Sequence, residues 1–404
     1  MTNKYTFIDL FAGCGGLSEG FYRQGFTALA HVEINRDACN TLRTRMKHYG
    51  YKNADKEVIE HDITADDIIE RIESAVAGRE VDIIIGGPPC QAYSTAGRVR
   101  DSKGMASDSR NFLFERYVKI LEHYRPKFFV FENVTGILSA NVNGKPIFPM
   151  IVKALGKKYK VLNDPNILVH NTADYGVPQI RKRVIIMGVR KDIANVEVEQ
   201  LYKDVVKTHY NPETPEEERK GRKRFVDVRE ALGDLPAVYP GGDASTDAFD
   251  YPCNNEFLKR VGSKGVHPLM DHICRKNNDT DRERFRVMIE HHWSFGEMRK
   301  QRPDLEHEHA RLFDNSYVVQ WWDLPSKTIL AHIHKDGFQF IHPDYEQART
   351  FTVREAARIQ SFPDDFVFEG SRGEKFKQIG NAVPVLFAEA LAKSILKNLK
   401  EIDQ

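Results

Sequence analysis

Residues 7–16 read Phe7-Ile8-Asp9-Leu10-Phe11-Ala12-Gly13-Cys14-Gly15-Gly16, an apolar strand that runs directly into a glycine-rich turn. A helical pattern follows over 17–24, so the segment predicts a strand, a tight turn and a helix. Small residues in such a turn let the backbone approach a nucleotide-like ligand at the start of the helix. The spacing differs from the GxGxxG of dinucleotide enzymes, which argues against a redox enzyme that transfers hydride.

The same alternation of strand and helix patterns continues to about residue 190. Strands are predicted over 6–11, 27–33, 58–61, 81–85, 128–132, 161–169 and 183–189, and helices over 17–24, 36–48, 66–74, 112–123 and 147–156. Such alternation predicts an α/β fold, a doubly wound and mostly parallel sheet with helices on both faces.

The pattern breaks after Arg190, where charged runs and loop-like stretches predict a second, smaller and irregular domain. We therefore divide the chain into a first domain over 1–190, a second over 191–325 and a C-terminal segment over 326–404. The last segment ends in an amphipathic helix over 385–399, whose apolar positions suit docking on the first domain.

Composition excludes several classes of protein. The chain has 404 residues and a net charge of +1, which by itself says nothing about nucleic-acid binding. We find no signal-peptide pattern and no apolar stretch that approaches bilayer length. The five cysteines have no paired spacing, which predicts reduced thiols and a cytoplasmic protein. Zinc on Cys253, His267, His272 and Cys274 is an alternative, but the spacing fits no common finger, so no metal site is predicted.

Cys90 follows the apolar run 81–85 and the turn Gly86-Gly87-Pro88-Pro89. The glycines let the backbone pass close to a ligand, and the two prolines restrict the backbone just before the sulfur. A thiol held in one position can act as a nucleophile when it is ionised. The alternative is a packed, inert cysteine, because free cysteines are often buried.

Acidic residues stand at the ends of three predicted strands. Glu33 can accept hydrogen bonds from ribose hydroxyls, and Asp62 can meet an adenine edge. For each of these two, a helix N-cap is the alternative. Glu132 can lie beside Cys90 at the ligand-binding edge of the sheet, which suggests covalent addition to an electron-poor ring with protonation of a ring nitrogen.

Arg181 and Arg183 enter the last predicted strand with their side chains on one face. They could bind a carboxylate or carbonyl and favour the thiolate. A solvated basic strand edge is the alternative.

In this order, the motifs resemble the cytosine-C5 DNA methyltransferase family, of the S-adenosylmethionine-dependent, bacterial restriction–modification type. The resemblance covers roughly 1–190 and 325–400, and the middle segment matches its variable target-recognition region. It rests on the stretches Asp9–Gly16, Gly87–Gln91, Glu132–Val134, Gln179–Arg183, Arg354–Pro363 and Gln378–Pro384. The resemblance implies a Rossmann-like class I methyltransferase fold with a catalytic and cofactor-binding domain over 1–190 and a target-recognition domain over 191–325.

The resemblance also implies the chemistry. Cys90 would attack C6 of a cytosine, Glu132 would donate to N3, Arg183 would contact the O2 side and Arg181 would steady the cysteine loop. C5 would then take the methyl group of S-adenosylmethionine, leaving S-adenosylhomocysteine.

For the cofactor, the resemblance implies that Phe11 stacks on the adenine, Glu33 binds the ribose and Asp62 meets the exocyclic amine. Asn381 and Val383 would complete the pocket from the far end of the chain. The full cofactor set is Asp9, Phe11, Ala12, Gly13, Gly15, Gly16, Glu33, Ile34, Asp62, Ile63, Pro89, Leu113, Asn381 and Val383.

The implied partner is double-stranded DNA, from which the target cytosine must be flipped out. The polar, glycine-containing stretch 91–110 resembles the mobile catalytic loop of the family, and a disordered surface loop is its alternative. The predicted DNA contacts are Gln91, Ser94, Arg98, Arg100, Lys103, Arg222, Arg224 and Arg284. For the arginines of the middle region, a solvated surface is the alternative. We expect a monomer and no membrane, and the existence of a cognate restriction endonuclease acting on the same site stays open.

Two rival functions remain. The branch of the family that methylates tRNA carries a Cys-Phe-Thr signature, whereas in this chain Cys253 precedes Asn254 and Cys274 precedes Arg275. A catalytically silent DNA-binding relative would lack the cysteine, the glutamate or the arginine pair, and this chain has them all. The target sequence stays open.

Overall fold

The computed structural model describes residues 4–89, 113–142, 144–306 and 317–404. The chain forms two compact units. Unit 1 comprises Met1–Tyr175, Lys182–Lys207 and Val385–Gln404, and unit 2 comprises Gly176–Arg181 and Thr208–Pro384. This division differs from the predicted one, because 191–207 belongs to unit 1 and 326–384 to unit 2. Of the segment predicted to return to the first domain, unit 1 contains the part from Val385 onward.

Strands and helices alternate along the first half of the chain, and mostly short elements follow. The strands are β1 (Thr6–Leu10), β2 (Thr27–Glu33), β3 (Val58–Glu60), β4 (Ile83–Gly86), β5 (Phe128–Val134), β6 (Asn141–Val142), β7 (Lys145–Pro146), β8 (Tyr159–Val161), β9 (Val169–Asn171), β10 (Lys182–Arg190), β11 (His209–Tyr210), β12 (Lys223–Arg224), β13 (Thr246–Tyr251) and β14 (Gly265–Leu269). The helices are α1 (Gly16–Tyr22), α2 (Arg36–His48), α3 (Ala54–Glu57), α4 (Ile68–Val76), α5 (Leu113–Tyr124), α6 (Ile147–Leu155), α7 (Pro165–Leu168), α8 (Val198–Lys203), α9 (Val228–Leu232), α10 (Glu256–Val261), α11 (Asp279–Glu290), α12 (Phe295–Gln301), α13 (Val353–Ile359), α14 (Arg372–Asn381) and α15 (Val385–Ile402).

Unit 1 is built on one sheet with the strand order β3-β2-β1-β4-β5-β10-β8, in which β9 also pairs with β10. The strands from β3 to β5 are parallel, whereas β10 runs antiparallel to β5, β8 and β9. The central strand β4 is completely buried at Ile83, Ile84 and Ile85, as expected for a strand covered on both faces. The predicted α/β fold with a mainly parallel sheet is confirmed.

One predicted strand, 161–169, was wrong. The chain there forms the short strand β8, the helical turn α7 and the strand β9. Pro165 occupies the first turn of α7, and the side chain of Asp164 accepts a hydrogen bond of 2.9 Å from the backbone N–H of Asn166. An N-cap aspartate followed by proline starts a helix and interrupts the strand.

The C-terminal helix α15 belongs to the core of unit 1. A Cβ at Gly20 of α1 would lie 2.4 Å from the backbone carbon of Ala388, so the two helices meet at backbone distance. The stretch Arg372–Ile402, which takes in α14 and α15, is long and apolar enough to cross a membrane by length and composition, and 72% of its apolar window is buried in the protein. The prediction that no apolar stretch approaches this length was wrong, and the burial assigns α15 to the core.

Unit 2 has its own hydrophobic core and buried ion pairs. Phe285, Met288 and Phe295 of α11 and α12 belong to one cluster of buried side chains. The guanidinium of Arg358 is completely buried and is bonded to two carboxylates, those of Asp234 and Asp364. These buried pairs hold the irregular segments of unit 2 together, since leaving any partner unpaired would be costly.

Candidate active site

Glu33 closes β2 and organises the turn after β1. Its Oε2 accepts a hydrogen bond of 2.8 Å from the N–H of Gly13, and its Oε1 accepts bonds of 2.9 and 2.8 Å from the N–H groups of Ile34 and Asn35. A carboxylate has about four acceptor positions, so these three bonds leave capacity for a ligand hydroxyl. Glu33 is thus held at the carboxyl edge of the sheet, where its predicted role needs it.

The turn itself has an unusual backbone. Gly13 and Gly15 have φ of 55° and 88°, and Phe11 has φ of 59°, a left-handed conformation that costs energy in a residue other than glycine. A Cβ added at Gly13 would meet nothing within 4 Å, so the space above that residue is open. Ile34 is 66% exposed, which is unusual for a large apolar side chain at the end of a buried strand. The edge therefore offers an open, partly apolar surface next to a carboxylate.

The buried side chain of Asp9 connects the end of β1 to α1, the helix that follows this turn. Its carboxyl is buried and accepts a hydrogen bond of 2.5 Å from Oγ of Ser18, on α1. Burial raises the pKa of Asp9 to about 7. A buried carboxyl bonded in this way fixes the ends of the turn relative to each other. The sequence analysis did not identify its partner, Ser18.

Asp62 lies beyond β3 and is exposed. Its Oδ1 accepts hydrogen bonds of 2.8 Å from the N–H and from Oγ1 of Thr64, and these bonds hold the pKa of Asp62 below its ordinary value. The carboxylate is thus ionised and oriented. Of its predicted neighbours in the cofactor set, Ile63 is buried, Pro89 is exposed and Leu113 begins α5 half-buried.

Cys90 lies outside the described residues, but the turn that leads to it is well defined. The carbonyl of Pro88 accepts a buried hydrogen bond of 3.1 Å from Nδ2 of Asn133, at the end of β5. A Cβ at Gly86 would lie 2.4 Å from the carbonyl oxygen of Leu10, and one at Gly87 would lie 2.7 Å from Oε2 of Glu132. At Gly86 a side chain would clash with backbone, and at Gly87 it would displace the end of the Glu132 side chain, so the approach to Cys90 lies against the ends of β1 and β5. Asn133 was part of a quoted motif, yet nothing local in the sequence indicated this bond.

Glu132 and Arg183 form an ion pair beside that turn. Nε of Arg183 lies 2.9 Å from Oε1 of Glu132, and the two side chains are 9% and 14% exposed. Antiparallel pairing of β5 with β10 sets Ile185 opposite Glu132 and places Arg183 two residues away on the same face. Burial lowers the pKa of Arg183, and Glu132 opposes this shift, so the guanidinium stays charged at neutral pH. The structure therefore brings together Glu132 and Arg183, two residues that the sequence analysis assigned to one site.

Arg181 belongs to unit 2 and has a different environment. Its guanidinium donates hydrogen bonds of 2.6 Å to the carbonyl of Ile329 and of 3.0 Å to those of Gly380 and Ala382. These acceptors include carbonyls at the end of α14, which lack partners within the helix. Arg181 therefore caps α14, and its predicted contact with the cysteine loop falls on residues outside the described part.

Two glutamines extend this cap within unit 2. The side chain of Gln179 bonds to Gln360 (2.9 Å) and to the N–H of Ile329 (2.7 Å), and Nε2 of Gln360 donates to the carbonyl of Ile379 (2.6 Å). The predicted cofactor residues Asn381 and Val383 follow immediately, the first exposed and the second buried. The backbone that carries them is thus held by buried polar side chains, which the sequence analysis missed as a group.

The predicted DNA contacts have mixed outcomes. Arg222 is half-buried, and the exposed Arg224 pairs with Asp227 at 2.9 Å. Arg284 is only 6% exposed and donates to Asp281 and to the carbonyl of Leu305, both at 2.7 Å. The prediction for Arg284 is therefore corrected, because a buried and bonded guanidinium cannot reach a phosphate. The remaining five predicted contacts, Gln91, Ser94, Arg98, Arg100 and Lys103, lie outside the described residues.

The alternative zinc set is not assembled. Within the described ranges, no three His, Cys, Asp or Glu side chains lie together as metal ligands. The ring of His272 instead hydrogen-bonds Oγ1 of Thr352 at 3.0 Å and the carbonyl of Pro236 at 2.8 Å.

The chain is similar to known proteins over almost its whole length. The family model for the C-5 cytosine-specific DNA methylase matches residues 5–397. The type II methyltransferase M.Bpa9945I of Bacillus paralicheniformis is 33% identical over 96% of this chain and 98% of its own, and M.DdeI of Desulfomicrobium norvegicum is 32% identical over 96% and 88%. Among solved structures, a putative DNA modification methyltransferase encoded within an Escherichia coli prophage superposes with a TM-score of 0.70 at 25% identity, covering 98% of this chain and all of that one.

Proposed function

Because the chain belongs to the C-5 cytosine-specific DNA methylase family, we propose that it methylates C5 of a flipped-out cytosine within a short, specific sequence of double-stranded DNA. It is a DNA cytosine-5-methyltransferase. In the proposed reaction, the methyl donor is S-adenosylmethionine and the intermediate is a covalent Cys90–C6 adduct. The observation that carries the proposal is the buried Glu132–Arg183 pair beside the glycine-proline turn that leads to Cys90.

The residues of unit 1 fit the donor. The open space at Gly13 and the exposed side chain of Ile34 suit an adenine ring, and the carboxylate of Glu33 suits ribose hydroxyls. Phe11 adds an aromatic side chain on the same turn, and the ionised Asp62 can accept from an exocyclic amine. When bound, S-adenosylmethionine supplies an electrophilic methyl group on its sulfonium.

The side chains of this chain activate the base. The Cys90 thiolate adds to C6, which forms a C–S bond and moves electron density to C5. Glu132 hydrogen-bonds or protonates N3 and so stabilises this charge, while Arg183 orients the carboxyl and contacts the O2 side. After C5 gains the methyl group, loss of its proton and β-elimination break the C–S bond and release Cys90.

The test is conversion sequencing of DNA from a methylation-free host that expresses the chain, beside Cys90→Ala. Methylcytosine at one position of one short motif, absent from the Cys90→Ala culture, is the expected result. Cys253→Ala is the matched cysteine control and should keep the activity, since the thiol of Cys253 donates to the backbone carbonyls of Leu258 and Ser263 within unit 2. If the folded protein is expressed and the DNA contains no methylcytosine, the proposal is wrong.

The adduct has its own test. A duplex with 5-fluorocytosine at the target position blocks the last step, because fluorine cannot leave C5 as a cation. We expect the protein to stay covalently attached to this duplex and Cys90→Ala to remain free. If the protein methylates ordinary DNA but is not trapped on the fluorinated duplex, the methyl transfer stands and Cys90 is not its nucleophile.

The names of its relatives support a type II restriction–modification context for this chain. We extend this to a cognate endonuclease that cuts the same motif, and to a monomer that acts in the cytoplasm on the host DNA. The motif found by conversion sequencing defines the site that such an endonuclease must recognise.

A further inference from the structure

The helix α11 in unit 2 ends in a strained turn. His291 is its C-cap residue, and His292 follows with φ of 55°, in the left-handed region. Glycine is the usual residue at this position, because a Cβ is unfavourable there. A residue held in a strained backbone conformation is often found at a functional site.

The histidines of this turn stack on tryptophans. The rings of His292 and Trp321 lie 4.7 Å apart at 23°, and those of His291 and Trp293 lie 4.2 Å apart at 28°. Trp293 and Trp321 are partly buried and pack against the hydrophobic cluster of unit 2. We call these four residues the His–Trp edge: both histidines are exposed, and each lies on a ring that the core holds in place.

Two arginines contact the residues that follow Trp321 in the chain. The N–H of Arg229 donates to the carbonyl of Trp322 at 3.0 Å, and its guanidinium lies 5.0 Å from the centre of the Trp322 ring. Arg224 donates to the carbonyl of Asp323 at 2.7 Å, while also pairing with Asp227. Both arginines are exposed, and the charge of Arg224 is partly neutralised by Asp227.

We propose that His292 is a specificity-determining residue that reads a base edge of duplex DNA, with Arg229 on a neighbouring phosphate. The inference rests on the proposed function. A neutral imidazole has one donor and one acceptor. Among the described residues, the contact of the exposed His292 ring is its stack on Trp321, and the one hydrogen bond of this residue is from its backbone N–H to the carbonyl of Ile289. Stacking on Trp321 fixes the direction of the imidazole nitrogens, as direct reading of a base requires. The exposed Arg229, which lies on the next residue along the chain, Trp322, supplies charge without sequence preference.

The deciding variant is His292→Gly, which removes the imidazole and relieves the strained backbone. Conversion sequencing gives the ratio of methylation at the cognate motif to methylation at sites that differ by one base pair. We expect this ratio to fall about 5- to 100-fold at one position of the motif. The melting temperature should stay equal or rise, because glycine is favoured at this φ. A purely structural histidine predicts the reverse, a lower melting temperature with unchanged fidelity.

Arg229→Ala tests the contact with the phosphate separately from the recognition of the base. It should weaken binding to cognate and unrelated duplexes alike, and should reduce the slope of log affinity against log salt by about 0.9. If His292→Gly does not fold, His292→Asn is measured instead, since asparagine tolerates the left-handed region. Unchanged fidelity in a folded His292 variant overturns the inference, whereas an unmodified chain that methylates no DNA overturns the proposed function.

Discussion

Gly87→Ala probes how closely the turn before Cys90 must fit Glu132. The added Cβ would lie 2.7 Å from Oε2 of Glu132, whereas ordinary contacts of this kind begin at about 3.4 Å. The carboxyl therefore has to retreat by about 0.7 Å. It cannot do so freely, because its other oxygen is bonded to Nε of Arg183 at 2.9 Å.

The expected effect is on rate more than on folding. Misplacing a catalytic group by about 1 Å costs about 100-fold in rate, so a shift of this size should lower the rate about 10- to 100-fold. The contact is with the end of a side chain, so overpacking should cost only about 1 kcal/mol of stability, at the lower end of its usual range.

The assay is the single-turnover rate of methyl transfer at saturating DNA and donor, with the unfolding midpoint measured on the same preparation. Gly373→Ala is the control, because a Cβ there meets nothing closer than 3.9 Å. A folded Gly87→Ala protein with a rate within about twofold of the unmodified chain would refute the reasoning, since the 100-fold loss per ångström leaves no room for it.

Three further predictions concern stability. Burial raises the pKa of Asp9 from 3.8 to about 7, so between these pH values the folded state binds a proton that the unfolded state has lost. The free energy of unfolding should therefore fall by up to about 1.4 kcal/mol per pH unit between about pH 4 and 7, and then stay constant. Asp9→Asn should remove this slope in urea titrations, and an unchanged slope would assign it elsewhere. Gly20→Ala should destabilise the protein by about 1–3 kcal/mol, because contact with the backbone of Ala388 outweighs the helix propensity of alanine, whereas a more stable variant would contradict the packing. Arg358→Leu leaves two buried carboxylates unpaired and should cost about 3–5 kcal/mol by denaturant unfolding, and a loss below about 1 kcal/mol would show that they find other partners.

Local sequence patterns predicted the parallel part of the sheet and which strand ends carry the candidate site residues. Apolar runs followed by small or acidic residues mark strands whose carboxyl ends meet at one edge, because parallel strands with helical crossovers all end on the same side. That reasoning brought Glu33 and the turn at Gly13 to one edge of the sheet. It assigned Glu132 and Arg183 to one site, but their pairing depends on the antiparallel strand β10, which the predicted parallel sheet did not include. Local sequence patterns are enough to predict functional residues that lie at the ends of parallel strands.

Which polar side chains are exposed, and which groups they bond, follows from the packing of the whole chain. Arg224 and Arg284 look alike in the sequence, yet the first is exposed and the second is buried on Asp281. Arg181, two residues before Arg183, caps α14 in unit 2. The stack of His292 on Trp321 joins residues far apart in the chain. Burial and long-range pairing depend on what the rest of the chain packs against each side chain, and no local pattern contains that information.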